Sequence, residues 1–122
     1  MSLDFYLKGP ATTAQCRCIE CGNEHTREDR ETLFETNMTH NLGPMFDAAG
    51  VYRILWHGAG LMAGDVLPQL ESALADMKAN PDKYRLYDAP NGWGTYKHAV
   101  PWLASIIEAR REHPTAVVDC WR

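Results

Sequence analysis

The sequence predicts an α+β fold: a small antiparallel sheet from N-terminal strands plus a C-terminal strand, packed against three to four helices. Three observations predict it. Short aromatic and apolar runs bounded by turn residues fill the first third. The hydrophobic period changes to helical spacing from about Thr39. The last residues, Ala116-Val117-Val118-Asp119-Cys120-Trp121, return to a β-branched, extended run. Strands, then helices, then a closing strand is the order of an α+β domain with a segregated sheet.

Leu3-Asp4-Phe5-Tyr6-Leu7-Lys8 reads as the first strand, closed by Gly9-Pro10. Ala14 to Ile19 reads as a second. Asn23 to Thr32 is dense in charge and is expected to be a solvated loop or hairpin tip, and Leu33 to Met38 a further strand of the same sheet. Leu42, Met45, Phe46 and Ala49 then fall at helical spacing, and Pro44 suits a first turn, where its missing N–H costs least. Asn41 or Thr39 fits a cap there. Gly50 interrupts the stripe before Val51, Ile54, Leu55 and Trp56, so one bent helix or two short ones are expected.

The clearest helix spans Asp65 to Lys78, with Asp65 as N-cap, Leu70, Ala73, Leu74 and Met77 on one face, and Asn80-Pro81 as its stop. Tyr84 to Trp93 is irregular. A last helix runs from near Thr95 to Glu112, with Pro101 expected to kink or restart it. The whole is one domain, 1–122, with a strand and knuckle region at 1–38, a helical region at 39–113 and a closing strand at 115–121.

Composition bounds the function classes. The chain has 122 residues, 45% of them hydrophobic and 23% charged, enough for a core without disulfides. The net charge of −4, with its cations scattered among acids, disfavours a general nucleic-acid binder. No run approaches the length of a membrane span. Met1-Ser2-Leu3-Asp4 lacks the basic n-region of a signal peptide, so a cytoplasmic protein with reduced thiols is expected.

Two motifs carry a resemblance. Asn37-Met38-Thr39-His40-Asn41-Leu42-Gly43-Pro44-Met45 and Asn91-Gly92-Trp93-Gly94-Thr95-Tyr96, with Pro114 before a short terminal strand, resemble a family of small bacterial and phage proteins. Its pattern is N-x-T-H-N-L-x-x-M followed by N-G-W-G-T-Y, and the resemblance runs from about Phe34 to the C-terminus. It implies no activity. Some members carry Cys-x-x-Cys-Gly before the first motif and others a polar turn, which would make a metal there a subgroup feature. The ending Asp119-Cys120-Trp121-Arg122 departs from the family's V-S-R-like end.

Three constellations bear on chemistry. Cys16, Cys18, Cys21 and His25 fall within ten residues, and Cys18-x-x-Cys21-Gly22 has the form of a zinc knuckle. Zinc wants four N or S ligands in a tetrahedron. Cys16 with His25 would complete a structural site locally, while Cys120 or His40 would enter it through the sheet. A hairpin of reduced thiols without metal, or a redox pair, fits the same spacing.

The second is Asn37-Met38-Thr39-His40-Asn41 at a strand-to-helix junction. If alternation holds, Asn37, Thr39 and Asn41 share a side, and His40 is the one candidate for acid–base work near neutral pH. The plainer reading has the asparagines bracing the turn and His40 bonded to backbone. The third is the loop Asn91 to Tyr96, where Trp93 and Tyr96 suit stacking on a base or sugar face. Equally, Trp93 is placed to plug the core and seat the last helix, with Thr95 as its N-cap. His57 and His98 are expected to be exposed.

Together these residues point first to a small non-enzymatic binding or accessory protein. Its ligand, a small molecule or a protein, would lie where the 37–41 junction faces Asn91, Trp93 and Tyr96. A structural or assembly protein, homodimeric through terminal strands at a sheet edge, is the second reading. A small hydrolase or nuclease using His40 with Asp47 or Asp88 is the third.

Overall fold

A computed structural model describes the backbone of residues 2–9, 12–17, 24–29 and 31–122, and the side chains of 2–9 and 31–122. Among the described residues five strands and five α-helices follow in the order β1 (Ser2–Lys8), β2 (Thr12–Arg17), β3 (Glu24–Asp29), β4 (Thr32–Thr39), α1 (Gly43–Ala48), α2 (Tyr52–Trp56), α3 (Leu67–Ala79), α4 (Pro81–Arg85), α5 (Tyr96–Glu112) and β5 (Val117–Trp121). A 3-10 turn, His40–Leu42, joins β4 to α1. The fold is the α+β arrangement expected from sequence.

The main sheet is antiparallel, in the order β4-β1-β5. Leu3, Phe5 and Leu7 alternate with half-buried polar residues along β1 and are wholly buried. Register places Met38, Thr36 and Phe34 of β4 beside them, and Cys120 and Val118 of β5 on the other flank. That face receives α5. The Trp102 indole N–H donates to Thr36 Oγ1 at 3.1 Å, and the Arg110 guanidinium lies over the Phe5 ring at 5.4 Å. Behind them Phe46, Trp56 and Trp102 form an aromatic cluster with centroid separations of 5.5–6.1 Å.

Several elements depart from expectation. The charged stretch after Asn23 contains strand β3, which pairs with β2 as a separate two-stranded ribbon. Backbone pairing in a ribbon needs no apolar alternation, so composition alone did not reveal it. The helix expected from Asp65 starts at Leu67, with Val66 rather than Asp65 at the cap position. A short α4 follows Pro81 at once, because the proline that stops one helix suits the first turn of the next. It is held by the buried Tyr84 hydroxyl, which donates to Asp76 of α3. Helix α5 runs unbroken through exposed Pro101. The one N–H lost there is outweighed by burial of Trp102, Leu103, Ile106 and Ile107 just beyond it. Between α1 and α2, Gly50 at φ +81° makes the break, giving two short helices.

The terminal strands do not present a free edge on the β5 side. Gly60 N–H donates to Val118 O, Val118 N–H to Leu61 O and Ala63 N–H to Ala116 O, so a loop covers that edge. Among the described strands the outer edge of β4 has no partner.

Of the knuckle residues, Cys18 and Cys21 lie outside the described residues. Cys16 and His25 sit directly opposite one another in the β2–β3 register. Among the described residues no group of three or more His, Cys, Asp or Glu is placed to hold a metal, and no helix is long and apolar enough to cross a membrane.

Arg110 is the one charged side chain among the buried residues described. Only its Nη1 finds a partner, Ala63 O at 3.2 Å, leaving Nε and Nη2 unpaired. Burial lowers its pKa to about 10. Burial also pushes the Cys120 thiol up to about 11 against the opposing pull of Arg110, and burial with the Asp76 carboxylate raises Tyr84 to about 12. A raised folded-state pKa means the folded chain keeps a proton the unfolded chain has lost, so stability drains as pH climbs. Arg110 acts in the opposite sense above about pH 10. Cys120 should therefore make stability fall between pH 9.0, its ordinary pKa, and about 10. Urea midpoints of the wild type should decline over that interval, and Cys120→Ser should flatten the decline. Equal slopes in both proteins would refute this account.

Candidate functional site

The junction after β4 is built by its own side chains. Thr39 stays extended, at φ −62° and ψ 140°, and its Oγ1 accepts from the Asn41 N–H at 3.3 Å. The chain then turns down so that Leu42 and Gly43 enter the core. Gly43 has no side chain because Tyr52 occupies the space, a Cβ there falling 3.1 Å from the ring. Tyr52 stacks on Trp56 at 5.2 Å, and His40 meets Trp56 edge-on at 6.3 Å.

The second wall is the 86–95 loop, which is folded on itself. Ala89 N–H donates to Gly94 O and Gly92 N–H to Ala89 O, both at 3.0 Å. Asn91 Oδ1 accepts from Trp93 N–H at 3.0 Å, and Asp88 Oδ1 accepts from the Tyr96 N–H at 2.6 Å. The last of these caps α5. Thr95 occupies the N-cap position as expected, but its hydroxyl is engaged with His98, and the carboxylate of Asp88 satisfies the free N–H at the positive end of the helix instead.

The two walls meet at Gly94. It is buried at φ +103°, and a Cβ on it would lie 3.0 Å from Thr39 Cγ2 and 3.1 Å from Asn41 Cβ. Beside this contact Asn41 Nδ2 donates to Trp93 O at 2.9 Å, across 52 residues of chain. The facing of these two distant segments is thus a feature of the fold.

Two clefts flank His40 and share it and Pro44. One, of about 560 Å³, is lined by His40, Asn41, Pro44 and the run Tyr87 to Asn91. The other, of about 520 Å³, is lined by His40, Gly43, Pro44, Asp47, Tyr52 and Arg53. His40 therefore shares one cleft with Asp88 and the other with Asp47. Its Nε2 is buried and unpaired, so that nitrogen is not tied to backbone.

Of the residues singled out from sequence, the structure brings together His40, Asn41 and Asn91, with Thr39 packed under the loop at Gly94. Asn37 lies elsewhere, on the outer face of the sheet, where its Nδ2 donates to Asp4 Oδ1 at 2.6 Å and Ser2 Oγ at 2.9 Å. Trp93 is not a core plug: its side chain is 73% exposed, and Gly94 is the buried residue there. Tyr96 turns away, its hydroxyl donating to Met77 O at 2.8 Å and its ring lying under Arg85. Tyr87, Pro44 and Pro90 are lining residues that sequence reasoning missed. Exposed aromatic character beside Pro-Asn-Gly was the available signal for Tyr87. His57 and His98 are exposed as expected. Cys120 is half-buried, and its thiol donates weakly to Leu55 O at 3.6 Å.

Compared with known protein families, with curated proteins and with solved structures, the chain matches none.

Gly94→Ala tests the contact on which the cleft rests. It adds a methyl at positive φ against two side chains, so a loss of about 1–3 kcal/mol in denaturant unfolding is expected. The Asn41 side-chain amide resonances should shift with it. An unchanged stability would show that the walls are not locked together at this point.

Proposed function

We propose that this chain is a non-enzymatic binding module of the small bacterial and phage family it resembles, acting in the cytoplasm. Its site is the cleft between the 39–44 junction and the 87–91 loop. The observation that carries this reading is a rigid loop holding apolar side chains out of the core. Trp93 is 73% exposed within a segment, Asp88 to Tyr96, fastened by four internal hydrogen bonds, and Leu86, 84% exposed, ends α4 just before it. Burial of a large apolar side chain stabilises by about 1.5–3 kcal/mol, so exposing both forgoes stability that folding alone would favour. A volume near 560 Å³ suits a small ligand. A structural zinc ion on Cys16, Cys18, Cys21 and His25 belongs to the same reading, supported by the opposed placement of Cys16 and His25.

A second reading, assembly through the sheet, is favoured by the outer edge of β4, which has no partner among the described strands, rather than by the terminal strands.

Native mass spectrometry of protein purified without chelator tests these together. The binding reading expects a monomer carrying a small copurified mass, or one that acquires a mass from a metabolite library. Zinc adds a mass that a chelator removes. A ligand-free dimer that takes up nothing would overturn the binding reading in favour of assembly. If no zinc is bound before chelation, the cysteine cluster is a hairpin of free thiols.

A further inference from the structure

We propose that the cleft beside the 87–91 loop takes a neutral saccharide; this rests on the binding reading above and names its ligand class. Three planar polar groups line or border the cleft, and each is half used. Asn41 spends Nδ2 on Trp93 O, Asn91 spends Oδ1 on Trp93 N–H, and Asp88 spends Oδ1 on Tyr96 N–H. The other atom of each, Asn41 Oδ1, Asn91 Nδ2 and Asp88 Oδ2, has no hydrogen-bond partner among the described residues. One end of each group is pinned to backbone, which fixes its plane before any ligand arrives.

The spare set is therefore two acceptors and one amide donor, held in place. Adjacent sugar hydroxyls each donate and accept, so a carboxylate oxygen and an amide read them as pairs. Among the described residues no Lys or Arg lines this cleft, and Asp88 gives it negative charge, which disfavours phosphates and carboxylates. The remaining need of a pyranose is a flat apolar surface for its C–H face. Tyr87 in the wall, 40% exposed, supplies one such surface, and Trp93, 73% exposed on the same loop just past Asn91, offers a second from outside the lining itself. Trp93 suits this role because both its backbone groups hold the loop while its indole holds nothing. The neighbouring cleft, with Arg53, is the one of different character.

Titration of the full chain by ¹H–¹⁵N NMR tests this, using neutral gluco-, manno-, galacto- and N-acetylglucosamine trisaccharides, with adenosine and inorganic phosphate as comparison probes. A trisaccharide is expected to shift the Asn41 and Asn91 side-chain amides and the Trp93 indole N–H. Asp88→Asn keeps an acceptor for Tyr96 and replaces the spare acceptor by a donor, so binding should weaken by at least about tenfold, with the fold intact. Trp93→Ala should weaken it comparably, Trp93→Tyr should restore most of it, and Trp121→Ala, an exposed tryptophan on β5, should leave it unchanged. Binding unaffected by Asp88→Asn and Trp93→Ala would overturn the proposal. Shifts of the same resonances by adenosine or phosphate alone would overturn the saccharide class while upholding the cleft. No shift from any probe, in a protein that native spectra show carrying no small mass, would overturn both.

Discussion

The absence of a side chain at Gly94 is the constraint on which the arrangement of this protein depends. At φ +103°, with the Thr39 and Asn41 side chains about 3 Å from where a Cβ would stand, the position accepts glycine alone without strain. Because the loop closes that far, the Trp93 carbonyl comes within reach of Asn41, and a 3-10 turn and a loop 52 residues away become two walls of one hollow. The geometry of that hollow follows from this close approach.

The loop itself is an economy of short polar side chains. Asp88 caps α5, Asn91 closes the tip and Asn41 clamps it from the far wall, so each contact uses one atom of a two-atom group. A loop held this way loses little conformational freedom on meeting a partner, because the ordering took place on folding. Leu86 at the end of α4 and Trp93 near the loop tip both stay in solvent.

Beneath the site the support is aromatic. His40, Tyr52, Phe46, Trp56 and Trp102 run as a contiguous set of rings from the cleft floor to the sheet, where the Trp102 indole is pinned to Thr36 of β4. Farther along α5, Arg110 inserts a guanidinium over Phe5 with two of its nitrogens unpaired. A buried cation so poorly satisfied is costly, and its neighbours are a ring face, a carbonyl and a thiol rather than a carboxylate. The sheet face that α5 covers is therefore less apolar than the alternation of β1 suggests.

Local patterning alone determined much of this protein. The buried set Leu3, Phe5 and Leu7, the break at Gly50, the helical stripe Leu70, Ala73 and Met77 and the closing strand at 117–121 are all readable, because one-sided burial writes a period into the chain. The pairing of the two motifs was legible only as an expectation. Strand β3 was not, since its sequence, Glu24 to Asp29, is polar throughout and carries no such period. What only the tertiary structure decided is direction: that Trp93 points to water and Gly94 inward, that Asn37 faces the outer side of the sheet and that Tyr96 turns to Met77. A residue's type states what it can bond, but the partner it finds depends on backbone torsions at one glycine and on chain 50 residues distant, neither of which local composition encodes.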